Sequence, residues 1–352
     1  MGLTQFWKSK KVLITGNTGF KGSWLSIWLD HLGAEIRGYS LEPDNENSLF
    51  KTLEIETLFP TTIADIRDIE KLSSEINDFK PEIVFHLAAQ PLVQESYLNP
   101  RETYEINIMG TINLLDSALQ CPSIKSFINV TSDKVYENKS WEWGYRENER
   151  LNGNDPYSNS KSCADLIASC YKNSLLEEKF NLSNVRSGNV IGGGDWAKDR
   201  LIPDMIRAII SGEDLILRNP KSTRPWQHVL EPLYGYMMLA EKMYSSSEYN
   251  SDWNFGPDHS EDASVEDISK EYKKFWSKNV KVSSESDFQK ESKYLRLDSS
   301  KANSRLRWNS KWDLKNSLSK TFFWYQEFLN GSDMKKATIY QIEEYQKLQA
   351  IK

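Results

Sequence analysis

The chain has 352 residues, 39% of them hydrophobic and 27% charged, which is enough apolar matter for a packed core and excludes disorder as the default. Its formal net charge is −6 and its basic residues are scattered, which argues against a nucleic-acid partner. Three cysteines (Cys121, Cys163 and Cys170) without CxxC spacing and four dispersed histidines give neither a disulfide framework nor a metal site.

No apolar run approaches the ~18 residues of a membrane helix, and the opening "MGLTQFWKSKKVLITG" lacks a signal-peptide core. Neither a membrane partner nor export is therefore expected, and reduced thiols suit a cytoplasmic protein. The length fits two domains or one large α/β domain with an elaboration.

In chain order, "KVLIT" (11–15) reads as a buried strand that leads into "TGNTGFKG" (15–22) and the helix "FKGSWLSIWLDHLG" (20–33). Gly16, Gly19 and Gly22 give the loop a G-x-x-G-x-x-G spacing. Residues without side chains let backbone N–H groups approach a pyrophosphate, and the helix N-terminus adds its positive dipole end. Alone the motif fits any tight turn, but its place between the first strand and the first helix points to a dinucleotide.

The second strand, "AEIRGYS" (34–40), does not end on the acidic residue that often binds an adenosine ribose. Ser40 and Asp44 are the candidates there, and Asp65, closing the third strand "TTIAD" (61–65), is a candidate for the adenine edge. Lys21 reads equally as a neighbour of the pyrophosphate and as a solvated lysine. A helix is expected at 68–79, a strand at 82–88, a helix at 102–120 and a strand "SFINV" at 126–130. This alternation, with nearly continuous apolar strands, indicates a parallel sheet covered on both faces.

After "SFINV" comes "TSDKVYE" (131–137), which sets Ser132, Asp133 and Lys134 at a strand end. An ion pair is the plain reading of the last two. "DPYSNSK" then places Tyr157 four residues before Lys161, on one face of a starting helix (about 159–176). An ammonium close to that phenol would favour the phenolate and make Tyr157 a base. A strand "LSNVRSGNV" (182–190) follows, then helices at 200–212 and 265–276, with a short strand "LILR" between them. The aromatic-rich stretches 221–244 and 317–329 have helical apolar spacing and read as core, and the tail from Gly331 could close as a helix.

The segments "TGNTGFKGSWL", "HLAAQPLV", "TSDKVYEN", "DPYSNSK", "GNVIGGGDWAKDRLIPD" and "RPWQHVLEPL" resemble the extended short-chain dehydrogenases/reductases that modify nucleotide sugars. The third, fifth and sixth are similar to the CDP-glucose 4,6-dehydratases within that group. The dTDP-glucose dehydratases carry Thr-Asp-Glu where this chain has Ser132-Asp133-Lys134, so the lysine is itself a marker.

The resemblance implies a Rossmann-type doubly wound parallel sheet with a smaller mixed α/β substrate domain. Residues 1–190 with about 221–250 would form the NAD-binding domain, about 191–220 with 251–330 the nucleotide-sugar domain, and 331–352 a helical tail. It implies NAD as cofactor, held by Gly16, Thr18, Gly19, Phe20, Lys21 and Gly22, by Asp65 and Ile66 near the adenine, and by Ala88, Ala89 and Gln90 along the ribose and nicotinamide. Ser132, Tyr157 and Lys161 would serve hydride transfer at C4. Asp133 would be the acid at the C6 hydroxyl and Lys134 the base at C5. Asn189, Arg200 and Arg224 are implied for the nucleotide diphosphate of CDP-glucose. The region 290–298 matches less well and its substrate contacts stay open. A homo-oligomer, a dimer or dimer of dimers, through helices 102–120 and 159–176 is the family expectation. C4 epimerisation needs the loop and the Tyr157–Lys161 pair but no acid and base at C5 and C6. A non-catalytic NAD-sensing protein on the same fold is the reading from another class.

Overall fold

A computed structural model describes residues 3–43, 45–213, 215, 217, 220–258, 263–276 and 295–350. Asp44, two residues of "LILR" and residues 290–294 of the 290–298 region lie outside them. The described strands are β1 (Lys11–Thr15), β2 (Glu35–Ser40), β3 (Thr61–Ile63), β4 (Ile83–His86), β5 (Ser126–Val130), β6 (Asn181–Arg186), β7 (Val190–Ile191), β8 (Thr223–Arg224), β9 (Gln227–His228), β10 (Trp253–Asn254) and β11 (Ala263–Ser264).

Seven of them form one parallel sheet in the order β10-β6-β5-β4-β1-β2-β3. The chain moves outward from β1 to β3, then returns to β4 on the other side of β1. That reversal leaves a crevice at the carboxyl ends of β1 and β4, where ligands of doubly wound sheets bind. Successive side chains of a strand face opposite layers. Val12, Ile14, Phe85 and Ile128 enter one core with Trp24, Trp28 and Tyr236, whereas Leu13, Val84 and Phe127 enter a second with Tyr39, Leu114 and Leu182.

Three expected elements differ in detail. The 102–120 helix contains a wide turn at Glu105–Met109, between Pro100–Tyr104 and Gly110–Leu119. The expected 182–190 strand breaks after Arg186, and Asn189, at φ +40°, takes the backbone out of the extended region before β7. The 221–244 stretch becomes helical only from Leu230 (helix Leu230–Ser245), since Pro225 cannot occupy a helix interior and β8 and β9 precede it. A helix at Val93–Leu98 was not expected at all.

The C-terminal residues join the body of the molecule. β10 pairs in parallel with β6 as an edge of the main sheet. Helix Met334–Ala350 packs on helix Phe20–His31, with the rings of Tyr345 and Trp28 edge to face at 5.8 Å. Glu231, fully buried, accepts from the backbone N–H groups of Lys311 (3.0 Å) and Trp312 (2.8 Å) and from the Tyr345 hydroxyl (2.6 Å). Burial pushes its carboxyl up to about 7. No described helix is long and apolar enough to cross a membrane.

Candidate active site

The glycine loop leaves β1 directly. Gly16 has φ +74°, and a Cβ there would stand 2.7 Å from Ala88 N; one at Gly22 would stand 2.1 Å from Gly16 O. The loop is thus pressed against the end of β4 and against its own helix. Gly19, the residue preceding helix Phe20–His31, is exposed, and a Cβ there would come no closer than 3.4 Å to its nearest neighbour, Gly16 O. The outer face stays open beside a helix N-terminus, which fits a pyrophosphate.

Around the loop most side chains are already engaged. Thr18 Oγ1 shares a hydrogen bond with Ser40 Oγ (2.6 Å) and donates to Leu41 O (2.9 Å). Both Asp65 carboxylate oxygens are held by Arg67, which keeps that carboxyl below its ordinary range. Ile66 is buried against Gly110. Phe20 is half-buried on the main core. Ala88 N donates to Thr15 Oγ1 at 3.3 Å, and Ala89 follows it, half-buried. Gln90 gives its N–H to Asn107 Oδ1 (2.8 Å) and its amide to Thr103 Oγ1 (2.9 Å). Asn107 lies in the wide turn and also donates to Ser160 Oγ at 2.8 Å, so it ties the end of β4 to the helix of Tyr157. That tie is absent from the sequence reading.

Lys21 does not stay on the loop. Its ammonium reaches across the crevice to donate to Ser187 Oγ at 2.9 Å, and Ser187 in turn shares a hydrogen bond with the Tyr236 hydroxyl at 2.7 Å. Burial first, and then the neighbouring Arg200 cation, pull Lys21 down to about 7.

The second group gathers where β5 ends. Ser132, Asp133 and Tyr157 are 6%, 1% and 9% exposed, whereas the Lys134 side chain keeps 33%. Ser132 starts the single turn Asp133–Val135 and accepts from Lys134 N at 3.2 Å. Its hydroxyl donates to Asp133 Oδ1 at 3.0 Å. Lys134 Nζ stands 3.9 Å from Asp133 Oδ1, at the limit of an ion pair. Asp133 Oδ2 is buried without a hydrogen-bond partner among the described residues. An unpaired buried carboxylate oxygen is costly, and it marks the direction from which a ligand hydroxyl would come.

Tyr157 and Lys161 share helix Pro156–Ser174, capped by Asp155 through Ser158 N. Burial raises the Tyr157 phenol above its ordinary value, and the strongest opposing pull is the ammonium of Lys134, not of Lys161 as the spacing suggested. Lys161 Nζ donates to Val130 O at 3.2 Å. Burial lowers it to about 8 against the pull of Asp165. Asp165, fully buried one turn on, accepts from Arg186 (2.7 and 2.8 Å) and from Thr131 Oγ1 (3.0 Å). This pair fixes β5, β6 and the helix to one another, and sequence spacing could not show it.

Of the residues expected for the nucleotide diphosphate, Arg200 joins the group: it pairs with Asp195 at 3.0 Å, and its charge acts on both Tyr157 and Lys21. Asn189 has φ +40° and a buried Oδ1 without a partner among the described residues. Arg224 stands on β8, in the two-stranded sheet with β11, where it donates to Thr223 O at 3.0 Å.

With this geometry in view, the comparisons are consistent. The model of the GDP-mannose 4,6 dehydratase family matches residues 13–321. A CDP-glucose 4,6-dehydratase of Salmonella typhimurium (strain LT2) is 47% identical over 348 residues, which is 97% of each chain. Among solved structures, a dTDP-glucose 4,6-dehydratase of Streptomyces venezuelae with NAD and TYD bound superposes with a TM-score of 0.79 at 20% identity, covering 92% of this chain and 99% of its own. A UDP-glucose 4-epimerase of Thermotoga maritima with UDP-glucose gives 0.79 at 20% identity, covering 91% and 99%. Those two likenesses establish the fold, a Rossmann-type sheet shared by dehydratases and epimerases. The match across most of its length shows that this chain belongs to the GDP-mannose 4,6-dehydratase family.

Proposed function

We propose that the chain is an NAD-dependent CDP-glucose 4,6-dehydratase, converting CDP-D-glucose to CDP-4-keto-6-deoxy-D-glucose and water. The observation that carries this reading is the Ser132-Asp133-Lys134 turn, with Ser132 and Asp133 buried near Tyr157 and an Asp133 carboxyl oxygen unpartnered among the described residues. A C4 epimerase requires no acid and base beyond the C4 oxidation group. The Salmonella relative supports the choice of nucleotide.

The glycine loop, with Thr18 and Phe20, would hold the dinucleotide, with Asp65 and Ile66 toward the adenine, Ala88 to Gln90 along the ribose, and Tyr157 and Lys161 at the nicotinamide. NAD, when bound, supplies an oxidant for C4 and returns the same hydrogen at C6. Tyr157 Oη takes the O4 proton as C4 is oxidised. The C4 ketone acidifies C5, because the carbanion left there is an enolate, and Lys134 Nζ, as the free amine, takes that proton. Asp133 Oδ2 gives a proton to the C6 hydroxyl, which leaves as water. Lys134 returns a proton to C5 as C6 is reduced. Asn189, Arg200 and Arg224 would meet the nucleotide diphosphate. Residues 1–190 and 221–250 would form the cofactor half, 191–220 and 251–330 the sugar half, and 331–352 the tail. The exposed side chains of Met109 (47%) and Leu166 (53%) support self-association through the helices that carry them, in a cytoplasmic homo-oligomer.

Protein loaded with NAD and given CDP-glucose should form a 4-keto sugar that absorbs in alkali. An isomerised hexose instead would indicate an epimerase, and no turnover a binding protein. CDP-glucose should also be preferred over dTDP-glucose by about tenfold or more, since a group aimed at the cytosine amine is left unpaired by thymine. Equal specificity constants would overturn the nucleotide assignment.

A further inference from the structure

We infer that Tyr136 is a positioning residue for the elimination step: held by the buried Arg186–Asp165 pair, its phenol pins the exit of the turn that carries Asp133 and Lys134 and so sets where the acid and the base stand. The inference rests on the dehydratase reading above.

Asp133 and Lys134 need such support, because little at the ends of their own side chains fixes them. Asp133 Oδ2 has no hydrogen-bond partner among the described residues. Lys134 Nζ lies 3.9 Å from Asp133 Oδ1, beyond hydrogen-bonding distance, and its side chain is 33% exposed. A long amine whose head is not bound to that carboxylate takes its place from its backbone. That backbone is the single turn Asp133–Val135, entered from Thr131 and Ser132 and left through Tyr136.

Both flanks of the turn are tied to one ion pair. On the entry side Thr131 Oγ1 donates to Asp165 Oδ2 at 3.0 Å. On the exit side Arg186 Nη1 donates to the Tyr136 hydroxyl at 2.7 Å, and that hydroxyl donates to Asn254 Oδ1 at 2.8 Å. Asn254 Nδ2 donates to Tyr145 O at 2.8 Å, which leaves its oxygen for the phenol. Arg186 grips Asp165 through two bonds of 2.7 and 2.8 Å, the rigid fork that makes such pairs good anchors. Tyr136, Asp165 and Arg186 are each 1% exposed or less, so bulk water is poorly placed to replace a lost member. The exit also meets Ser162 Oγ and Asn152 N, which donate to Val135 O at 2.8 and 2.9 Å. Those two join it to the helix of Tyr157 and to the following loop, whereas the phenol ties it across to β6 and β10.

The C4 group is anchored by other means. Tyr157 N donates to Ser96 Oγ at 3.1 Å, Asn107 holds Ser160 Oγ at 2.8 Å, and Lys161 Nζ donates to Val130 O at 3.2 Å. At the entry, Thr131 N bonds Val185 O (3.0 Å) and Asp133 N bonds Ser187 O (3.3 Å), which carries the pairing of β5 and β6 into the turn. None of these bonds uses the Tyr136 hydroxyl. Its loss therefore loosens the exit, next to Lys134, and leaves Tyr157 and Lys161 in place.

The test follows both steps in the NAD-loaded full chain with CDP-glucose. Tyr136→Phe keeps the ring, with its stacking on Tyr145 and on the Arg186 guanidinium, and removes the hydroxyl alone. In single turnover it should reduce the nicotinamide within about threefold of the parent rate, yet form the 4-keto-6-deoxy product about 10–10²-fold more slowly, the scale of a displacement near 1 Å. Reduced nicotinamide should then accumulate on the variant during steady turnover, to a larger bound fraction than on the parent. Thr131→Val, which cuts the entry tie without changing side-chain shape, should shift the two steps in the same direction and by less. If Tyr136→Phe slows both steps equally, slows oxidation more, or slows neither, the phenol serves packing alone and the inference is wrong. Should Tyr136→Phe not fold, the same comparison in Thr131→Val decides, and an equal effect on both steps would overturn the inference. If the parent itself yields no 4-keto product, the functional reading falls and the inference with it. A productive parent beside variants without the split would overturn the inference alone.

Discussion

The two sides of the crevice satisfy their polar groups in opposite ways. At the β1 side the glycine loop is built from backbone contact, and most side chains around it have found partners before any ligand arrives: Thr18 with Ser40, Asp65 with Arg67, Gln90 with Asn107 and Thr103, with the buried Oδ1 of Asn17 the exception. At the β5 side the buried carboxylate oxygen of Asp133 and the amide oxygen of Asn189 have none among the described residues. A cradle of the first kind is stable when empty and binds by shape and dipole. A group of the second kind is costly when empty and is relieved by a substrate that brings hydroxyls. Changes at the first should thus affect folding and cofactor together, and changes at the second should affect chemistry while sparing both.

The largest expected effect is on the second side. Tyr157→Phe should lower turnover by about 10²–10⁴-fold, the range for a removed acid–base group, while cofactor affinity from equilibrium dialysis stays near that of the parent. Loss of both together would erase the contrast.

The next prediction divides that side internally. Asp133→Asn and Lys134→Met should both stop after C4 oxidation, visible as nicotinamide reduction in a single turnover. Solvent deuterium should enter C5 of the bound sugar in Asp133→Asn but about tenfold or more slower in Lys134→Met. Equal exchange in the two variants would place the C5 base elsewhere.

On the first side, Gly22→Ala puts a methyl 2.1 Å from Gly16 O, and rigid backbone must give way. Denaturant titration should show a loss of about 1–3 kcal/mol, with weaker cofactor binding. Unchanged stability would mean the loop is looser than its contacts require.

The smallest effect concerns pH. Lys161 is held at about 8 against an ordinary 10.5, so between those values the folded protein binds fewer protons than the unfolded chain. Unfolding takes up a proton in that window, and the buried ammonium costs stability most below about pH 8. Stability of the cofactor-free parent should therefore rise from pH 8 to 10 relative to Lys161→Met, by about 1.4 kcal/mol per pH unit at most. Parallel curves for the two would remove Lys161 from the buried group.

The alternation of short apolar strands with amphipathic stretches made the sheet legible, and β1 and β5 begin and end where "KVLIT" and "SFINV" do. So were the glycines and the Ser132-Asp133-Lys134 turn, because both are local in sequence and sit at strand ends. Contacts between distant segments were not legible. Nothing near Lys21 says that its ammonium lands on Ser187, or that Asp65 is occupied by Arg67. The Asp165–Arg186 pair joins a helix to a strand across 21 residues, and no periodicity announces it. β10 has two residues, too few to show alternation, so its place at the sheet edge had no signal. Helix Val93–Leu98 was hidden for the same reason, being six residues between Pro91 and Pro100.

The grip of Glu231 on Lys311, Trp312 and Tyr345 has a consequence for how the protein is made. The helix that carries Glu231 and the wall formed by Trp28 emerge from the ribosome long before residues 334–350, yet the Tyr345 ring covers Trp28 and its hydroxyl completes the acceptor set of Glu231. That part of the core closes only when the last helix has been synthesised. Until then a nascent chain exposes indole surface, which invites aggregation. Truncation or a bulky fusion in the final helix should therefore reduce soluble yield, even though every residue of the crevice lies upstream.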